Sequence, residues 1–159
     1  MILRHKQQGF GLLEALVSIL VLSVGLVGVA MLQINSIRRN QAAQFQAIAL
    51  TQAQNIIDRM NQNPTGITNG AYDNASGIPA NPNCTTSTCT EAQIAQQDIY
   101  YWNTINAQLL PSGQGTVVKN GSLHTITIFW DALRTGATGL NCSGNTAVDL
   151  SCFRMQVEL

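Results

Sequence analysis

Charged residues are scarce in this chain. Lysine and arginine number 8, aspartate and glutamate number 8, and together they make up 10% of the 159 residues. A protein that holds nucleic acid through phosphate contacts needs a basic patch, and the sequence shows none. The phosphate-binding patterns G-x-x-x-x-G-K-[ST] and G-x-G-x-x-G are also missing. We therefore expect neither nucleic-acid binding nor a nucleotide, and no cofactor of any kind.

The longest stretch without charge runs from residue 15 to residue 37. A run of this length is enough helix to cross a hydrocarbon core of about 30 Å. In lipid each backbone N–H and C=O must be bonded within the chain, so a lone segment must be an α-helix. Small residues recur along one face of this helix, which lets helices approach closely in a membrane, although glycine is common in such helices anyway. These residues are Gly11, Ala15, Ser18, Gly25 and Gly28.

One carboxylate, Glu14, lies at the start of the apolar run. An ionised carboxylate in hydrocarbon is costly and usually has a partner, although a position at the headgroup level would leave it solvated. A basic leader with Arg4 and Lys6 precedes the step from Gly9 to Phe10. This leader is too short for a secretory signal and lacks its apolar centre.

The N-terminal residues resemble a known signal. The Gly9-Phe10 step, the leucines after it and Glu14 are similar to the class III signal of type IV prepilins. The tract LVSILVLSVGLVGVAMLQ, together with Asp98, Trp102 and the segments LLPSGQGTV and ITIFWD, resembles the minor pilin family called type IV pilus modification protein PilV.

The resemblance implies an assembly subunit. A prepilin peptidase would remove residues 1–9, cutting after Gly9, and would methylate Phe10. Glu14 would then pair with the N-terminal amine of a neighbouring subunit. The implied partners are other minor pilins and the major pilin, through the N-terminal helices, and an inner-membrane assembly platform. The implied fold is α+β, a long N-terminal helix packed on a small antiparallel sheet.

The helical pattern continues beyond the apolar run. No glycine or proline occurs between Gly28 and Pro64, so we predict one helix from about Phe10 to Gln62. Residues 10–33 would span the membrane, and residues 34–62 would form an amphipathic continuation that ends before Pro64. Residues 63–159 would form the head. The apolar positions of the continuation are Ile34, Ile37, Phe45, Ile48, Ala49, Ile56, Ile57 and Met60.

The head pattern predicts a loop, a helix and three strands. Residues 65–90 are rich in turn-forming residues and predict a loop. Residues 91–110 predict a helix with Thr90 as its N-cap. Residues 116–119 and 123–130 flank Asn120-Gly121 and predict a hairpin, with residues 153–159 as a half-buried third strand. The expected apolar face of the helix comprises Ile94, Ile99, Trp102, Ile105 and Leu109.

All four cysteines follow the long helix. Cys84 and Cys89, and Cys142 and Cys152, form two local pairs in loop-rich segments, which favours two disulfides over a metal site. Four cysteines allow three pairings, so connectivity stays open.

The disulfides also decide the orientation. Basic residues flank both ends of the apolar run and leave the orientation undecided. Disulfides form in an oxidising compartment, so we expect a single-pass inner-membrane protein with a periplasmic head, later displayed at the cell surface.

Two further patterns in the head invite functional readings. His124 follows Ser122 and precedes Asp131, but no nucleophile elbow is present, and we interpret His124 as a surface residue and the chain as non-enzymatic. Tyr100 and Tyr101 adjoin Trp102 and could stack bases, yet consecutive helical positions diverge, so Trp102 is predicted to be core.

Two other functions remain open. A pseudopilin of a type II secretion system follows the same assembly logic. A tip-displayed adhesin or DNA-uptake module would use the loops at 65–90 and 134–152 as contact surfaces.

Overall fold

The computed structural model describes residues 11–159, which fall into two compact units divided between Gln41 and Ala42. The fold is α+β, as predicted. Its elements are α1 (Leu12–Gln62), α2 (Pro64–Thr68), α3 (Glu91–Leu109), β1 (Gln114–Asn120), β2 (Leu123–Trp130) and β3 (Ser151–Glu158).

The N-terminal part of α1 is long and apolar enough to cross a membrane. Two serines in this part hydrogen-bond within the helix, since Ser18 donates to the carbonyl of Glu14 and Ser23 to that of Ile19. These two hydroxyls are thus satisfied within the helix, as a hydrocarbon environment requires.

The C-terminal part of α1 buries one face, and this burial begins at Phe45. Ile34 and Ile37, which we expected on the same buried face, are 51% and 57% exposed. The helix ends at Gln62, where the following Asn63-Pro64 was predicted to stop it. The fully buried positions on this part of the helix are Ala49, Ala53, Ile56 and Met60.

The expectation of a loop over residues 65–90 was wrong at its beginning, where α2 forms. Asn63 caps this short helix, since its Oδ1 accepts the N–H of Gly66 at 3.1 Å, and Pro64 occupies the first turn. Proline lacks an N–H that the first turn could not use in any case. The same Asn-Pro pair therefore ends one helix and begins the next.

Helix α3 starts with a capping box between Thr90 and Gln93, which confirms Thr90 as the N-cap. Trp102 is fully buried, as predicted, and its indole N–H donates to the Gln52 carbonyl of α1 at 2.9 Å. Two members of the expected apolar face were misplaced, because Ile94 is 38% and Leu109 47% exposed. The buried face of α3 instead includes the polar residues Asn103 and Asn106.

The sheet is antiparallel in the order β1-β2-β3. The turn at Asn120-Gly121 joins β1 to β2, and Gly121 has a φ of +64°, which glycine adopts without steric cost. Strand β2 has the predicted bounds, and β3 shows the predicted alternation, with every second residue exposed after Phe153. A bridge between Ala75 and Val117 extends the sheet beyond β1.

His124 is only 1% exposed, so our interpretation of it as a surface residue was wrong. In a strand, alternate side chains point to the same face, and His124 has the same parity as the buried Ile126 and Ile128. Its Nε2 lies 3.4 Å from Oδ1 of Asp73, and Oδ2 of the same carboxylate lies 3.7 Å from the Lys119 ammonium.

A second, smaller core lies on the other face of the sheet. Phe129 is buried there against Ala137 and Leu150, with the half-buried Cys142 and Cys152 packed beside them. The chain between β2 and β3 thus covers one end of this face and leaves the remainder of it partly accessible.

Candidate assembly site

Glu14 lies in the first turn of α1, and its side chain is exposed. Its N–H donates to the Gly11 carbonyl at 2.8 Å, so the helix is already formed at this residue. No cation of residues 11–159 lies within 4.0 Å of its carboxylate. Gly9 and Phe10, the predicted cutting and methylation positions, lie outside the described residues.

The apolar part of α1 is exposed on every side. Each large hydrophobic side chain of residues 12–37 has between 51% and 84% of its surface accessible. A soluble protein rarely leaves a contiguous apolar surface of this kind uncovered. Such a helix requires lipid or other apolar helices around it.

The predicted packing glycines are open to a neighbour. No heavy atom lies within 4 Å of the place where a Cβ would stand on Gly25 or Gly28. Both positions could therefore receive a side chain or a backbone from another helix. Gly11, Ala15 and Ser18 are likewise exposed. Their use in packing stays a prediction.

A polar network in the head joins the end of α1 to α3. Oδ2 of Asp98 accepts the hydroxyl of Tyr72 at 2.7 Å, and Oδ1 lies 3.1 Å from the Arg59 guanidinium. Asn63 donates to the Tyr72 hydroxyl at 3.3 Å and to the Glu91 carbonyl at 2.8 Å. Burial and the Asp98 hydrogen bond raise the pKa of Tyr72, which keeps its hydroxyl a donor.

Sequence reasoning missed this network. Only Asp98 had been singled out, on the resemblance alone, and its partners lie 26 and 39 residues away along the chain. A helix pattern shows that Arg59 and Asp98 lie towards the edges of their apolar faces, but it does not show which helices pack together.

Asp131 stabilises the loop that follows β2. Its carboxylate accepts the N–H groups of Thr135 at 3.1 Å and Gly136 at 2.8 Å. Burial raises the pKa of Asp131, but these N–H donors outweigh burial and the net pKa is lowered. Asp131 is thus engaged by backbone donors, while the carboxylate beside His124 is that of Asp73.

The structure pairs Cys84 with Cys89 and Cys142 with Cys152, one of the three pairings that the sequence left open. The Cα atoms are 5.5 Å and 5.7 Å apart. The first bridge closes a turn before α3, and the second fastens the long loop to the start of β3. Within residues 11–159 no group of three His, Cys, Asp or Glu side chains could hold a metal ion.

Comparison with known proteins identifies one family motif. Residues 4–30 match the prokaryotic N-terminal methylation motif. No curated protein and no solved structure matches the chain. The matched residues include the Gly9-Phe10 step, Glu14 and most of the apolar tract. Together with the long apolar helix and the small antiparallel sheet, the motif supports a type IV pilin-like protein.

Proposed function

We propose that this chain is a minor pilin, a non-enzymatic subunit that primes or modifies a type IV pilus. The observation that carries the proposal is the methylation motif at residues 4–30 joined to an apolar helical stretch, residues 12–37, whose side chains are all exposed. The resemblance to the PilV family over Trp102 and the ITIFWD strand supports the pilus rather than a secretion pseudopilus.

The helix is used in two environments. Before assembly the proposed membrane span, which ends at Gln33, is solvated by lipid, with the disulfide-bonded head in the periplasm. After the peptidase cuts at Gly9, the exposed aliphatic side chains leave lipid and pack against the helices of neighbouring pilins. Because lipid and neighbouring helices are about equally apolar, close packing at small residues contributes more than hydrophobic transfer does.

Glu14 gives this packing its register. In the mature chain it is the fifth residue, counting Phe10 as the first. Its carboxylate pairs with the methylated N-terminal amine of an adjacent subunit. An unpaired carboxylate in an apolar surround costs several kcal/mol, so a subunit out of register is disfavoured.

The test is incorporation of a Glu14→Gln variant into filaments. We expect it to be inserted and cut normally, shown by N-terminal sequencing and by mass analysis of Phe10, but to be depleted at least about tenfold from sheared filaments, which corresponds to about 1.4 kcal/mol. Glu91→Gln is the matched control, since Glu91 is also an exposed carboxylate in the first turn of a helix. Normal incorporation of Glu14→Gln would refute the role of Glu14.

Deletion of the gene tests the choice of machine. The proposal expects loss of twitching with normal protein secretion. Loss of secretion with normal twitching would assign the chain to a type II secretion pseudopilus instead.

A further inference from the structure

The face of the sheet opposite the main core carries a trough of about 500 Å³. None of residues 12–37, which form the proposed assembly surface, lines this trough. Residues directly opposite one another in an antiparallel sheet point to the same face. Thr116 is paired with Thr127, and Thr127 is paired with Arg154, so these three side chains form one row across the floor. The neighbouring row consists of Val118, Thr125 and Gln156.

Two chain segments outside the three strands also line the trough. On one side Ala75 bridges to Val117, with the Val117 N–H donating to the Ala75 carbonyl at 2.9 Å, and Asn74 and Ser76 line the trough. Leu140, from the loop between β2 and β3, also lines it. The face is therefore concave, and its volume lies in the range of small-molecule sites, about 300–1,000 Å³.

The lining combines apolar surface with polar groups and carries a single charge. Arg154 is exposed, and no carboxylate of residues 11–159 lies within 4.0 Å of its guanidinium. The polar contact that the guanidinium makes is with the disulfide sulfur of Cys142, at 3.8 Å. The remaining polar groups are hydroxyls and amides. Thr127 is 95% buried, since only 5% of its surface is exposed, yet it lines the trough.

Not all threonine hydroxyls on this face of the sheet make a side-chain hydrogen bond within the described residues. Thr125 receives a hydrogen bond from the Gln156 amide at 3.3 Å. Among the side-chain hydrogen bonds of residues 11–159, none engages the hydroxyl of Thr116 or Thr127. These two hydroxyls and the guanidinium of Arg154 lie in one row and can act together on one ligand.

We propose that this trough binds an acidic saccharide. Arg154 receives the carboxylate, for which a guanidinium has matching paired donors. Thr116 and Thr127 exchange hydrogen bonds with ring hydroxyls, and the exposed side chain of Val118 packs against the C–H face of a sugar ring. Nucleic acid fits this lining less well, because its phosphates need several cations along a strand and the trough offers one.

The experiment uses the full chain in detergent micelles, with calorimetric titration of two acidic saccharides and two uncharged counterparts. Trigalacturonic acid is compared with its methyl-esterified trimer, and sialyllactose with lactose. We expect at least one acidic saccharide to bind, and its counterpart to bind at least about tenfold more weakly. Arg154→Gln should lower the affinity about tenfold, and Thr127→Val, which keeps the side-chain shape, about fivefold.

Arg134→Gln is the matched control, because Arg134 is an exposed arginine that does not line the trough. It should leave the affinity unchanged, and thermal unfolding midpoints verify that each variant is folded. Three results would overturn the proposal: no binding of either acid at about 10 mM, equal binding of acid and counterpart, or equal losses in Arg154→Gln and Arg134→Gln. Arg154-dependent binding of a thymidine oligonucleotide, without saccharide binding, would replace the proposal with a nucleic-acid site.

This site is independent of the proposed assembly role. A chain that binds the saccharide but fails to enter filaments would contradict only the proposed function, and the converse result would contradict only the site.

Discussion

Among the exposed and half-buried carboxylates of the head, Asp98 is the one whose replacement we expect to lower the free energy of unfolding most. It accepts the Tyr72 hydroxyl at 2.7 Å and pairs with Arg59 at 3.1 Å. Asp98→Ala removes both contacts. Tyr72 is fully buried and its other neighbour, the Asn63 amide, is itself a donor, so the hydroxyl proton would have no acceptor.

The magnitude follows from the two contacts. The hydrogen bond from Tyr72 to a charged acceptor is worth about 1.5–3 kcal/mol. The ion pair with Arg59 adds only about 0.5 kcal/mol, because the arginine side chain is 30% exposed and water screens the pair. We expect Asp98→Ala to lower the free energy of unfolding by about 2–3.5 kcal/mol. Asp98→Asn should lose about half as much, since its amide oxygen can still accept from Tyr72.

The assay is urea unfolding of the full chain in micelles, followed by tryptophan fluorescence. Trp102 and Trp130 are 0% and 3% exposed, so both report on unfolding of the head. Asp58→Ala is the control, because Asp58 is exposed and lines the same pocket as Asp98. A loss for Asp98→Ala within about 0.5 kcal/mol of the control would refute the reasoning.

Three further predictions concern the stability of the head. Replacing Cys142 and Cys152 by alanine should lower the free energy of unfolding by about 2.7 kcal/mol, because the bridge closes a loop of sequence separation 10. Removing the shorter bridge, of separation 5, should cost less, and the reverse order would contradict this prediction. The lowered pKa of Asp131 means that its contribution is present above its unfolded pKa of about 3.9 and is lost as the pH falls below it, so Asp131→Asn should flatten the acid limb of a plot of thermal midpoint against pH; unchanged limbs would contradict this. A Cβ on Gly115 would overlap the ring of Trp102, so Gly115→Ala should cost about 1–3 kcal/mol, and a neutral effect would show that the ring can move.

Elements with a clear hydrophobic period could be predicted closely. The end of α1, the start of α3 and the bounds of β2 follow from Pro64, from Thr90 and from the alternation of β2. Each of these signals is local, because capping and proline geometry act over a few residues. The fold class followed from the change of period from helix to strand along the chain.

Two predictions were wrong because a local sequence rule was applied incompletely. His124 has the parity of the buried positions of β2, and its alternation alone would have predicted its burial. Pro64 was read only as a helix stop, although a proline in the first turn after an asparagine is equally a helix start. Both signals were present in the sequence.

Other features required the fold itself. The pairing of Asp98 with Arg59 and Tyr72 depends on how α1, α3 and the intervening chain pack. The trough depends on the register that aligns Thr116, Thr127 and Arg154 from three strands. No local pattern contains this register, because each strand supplies one residue to the row.

Helix α1 is apolar on every face over residues 12–37 and on one face from Phe45 onward, and these two parts have different roles. All residues of the main head core, together with the half-buried ones packed on it, lie between Phe45 and Leu159. The side chains of residues 12–37 contribute none of this core, and a helix that is apolar on every face needs apolar surroundings on every face. Substitution of Glu14 should therefore leave the unfolding of the head unchanged, whereas substitution of Asp98 should destabilise the head without altering the helix surface that enters a filament. The two kinds of variant separate assembly from folding.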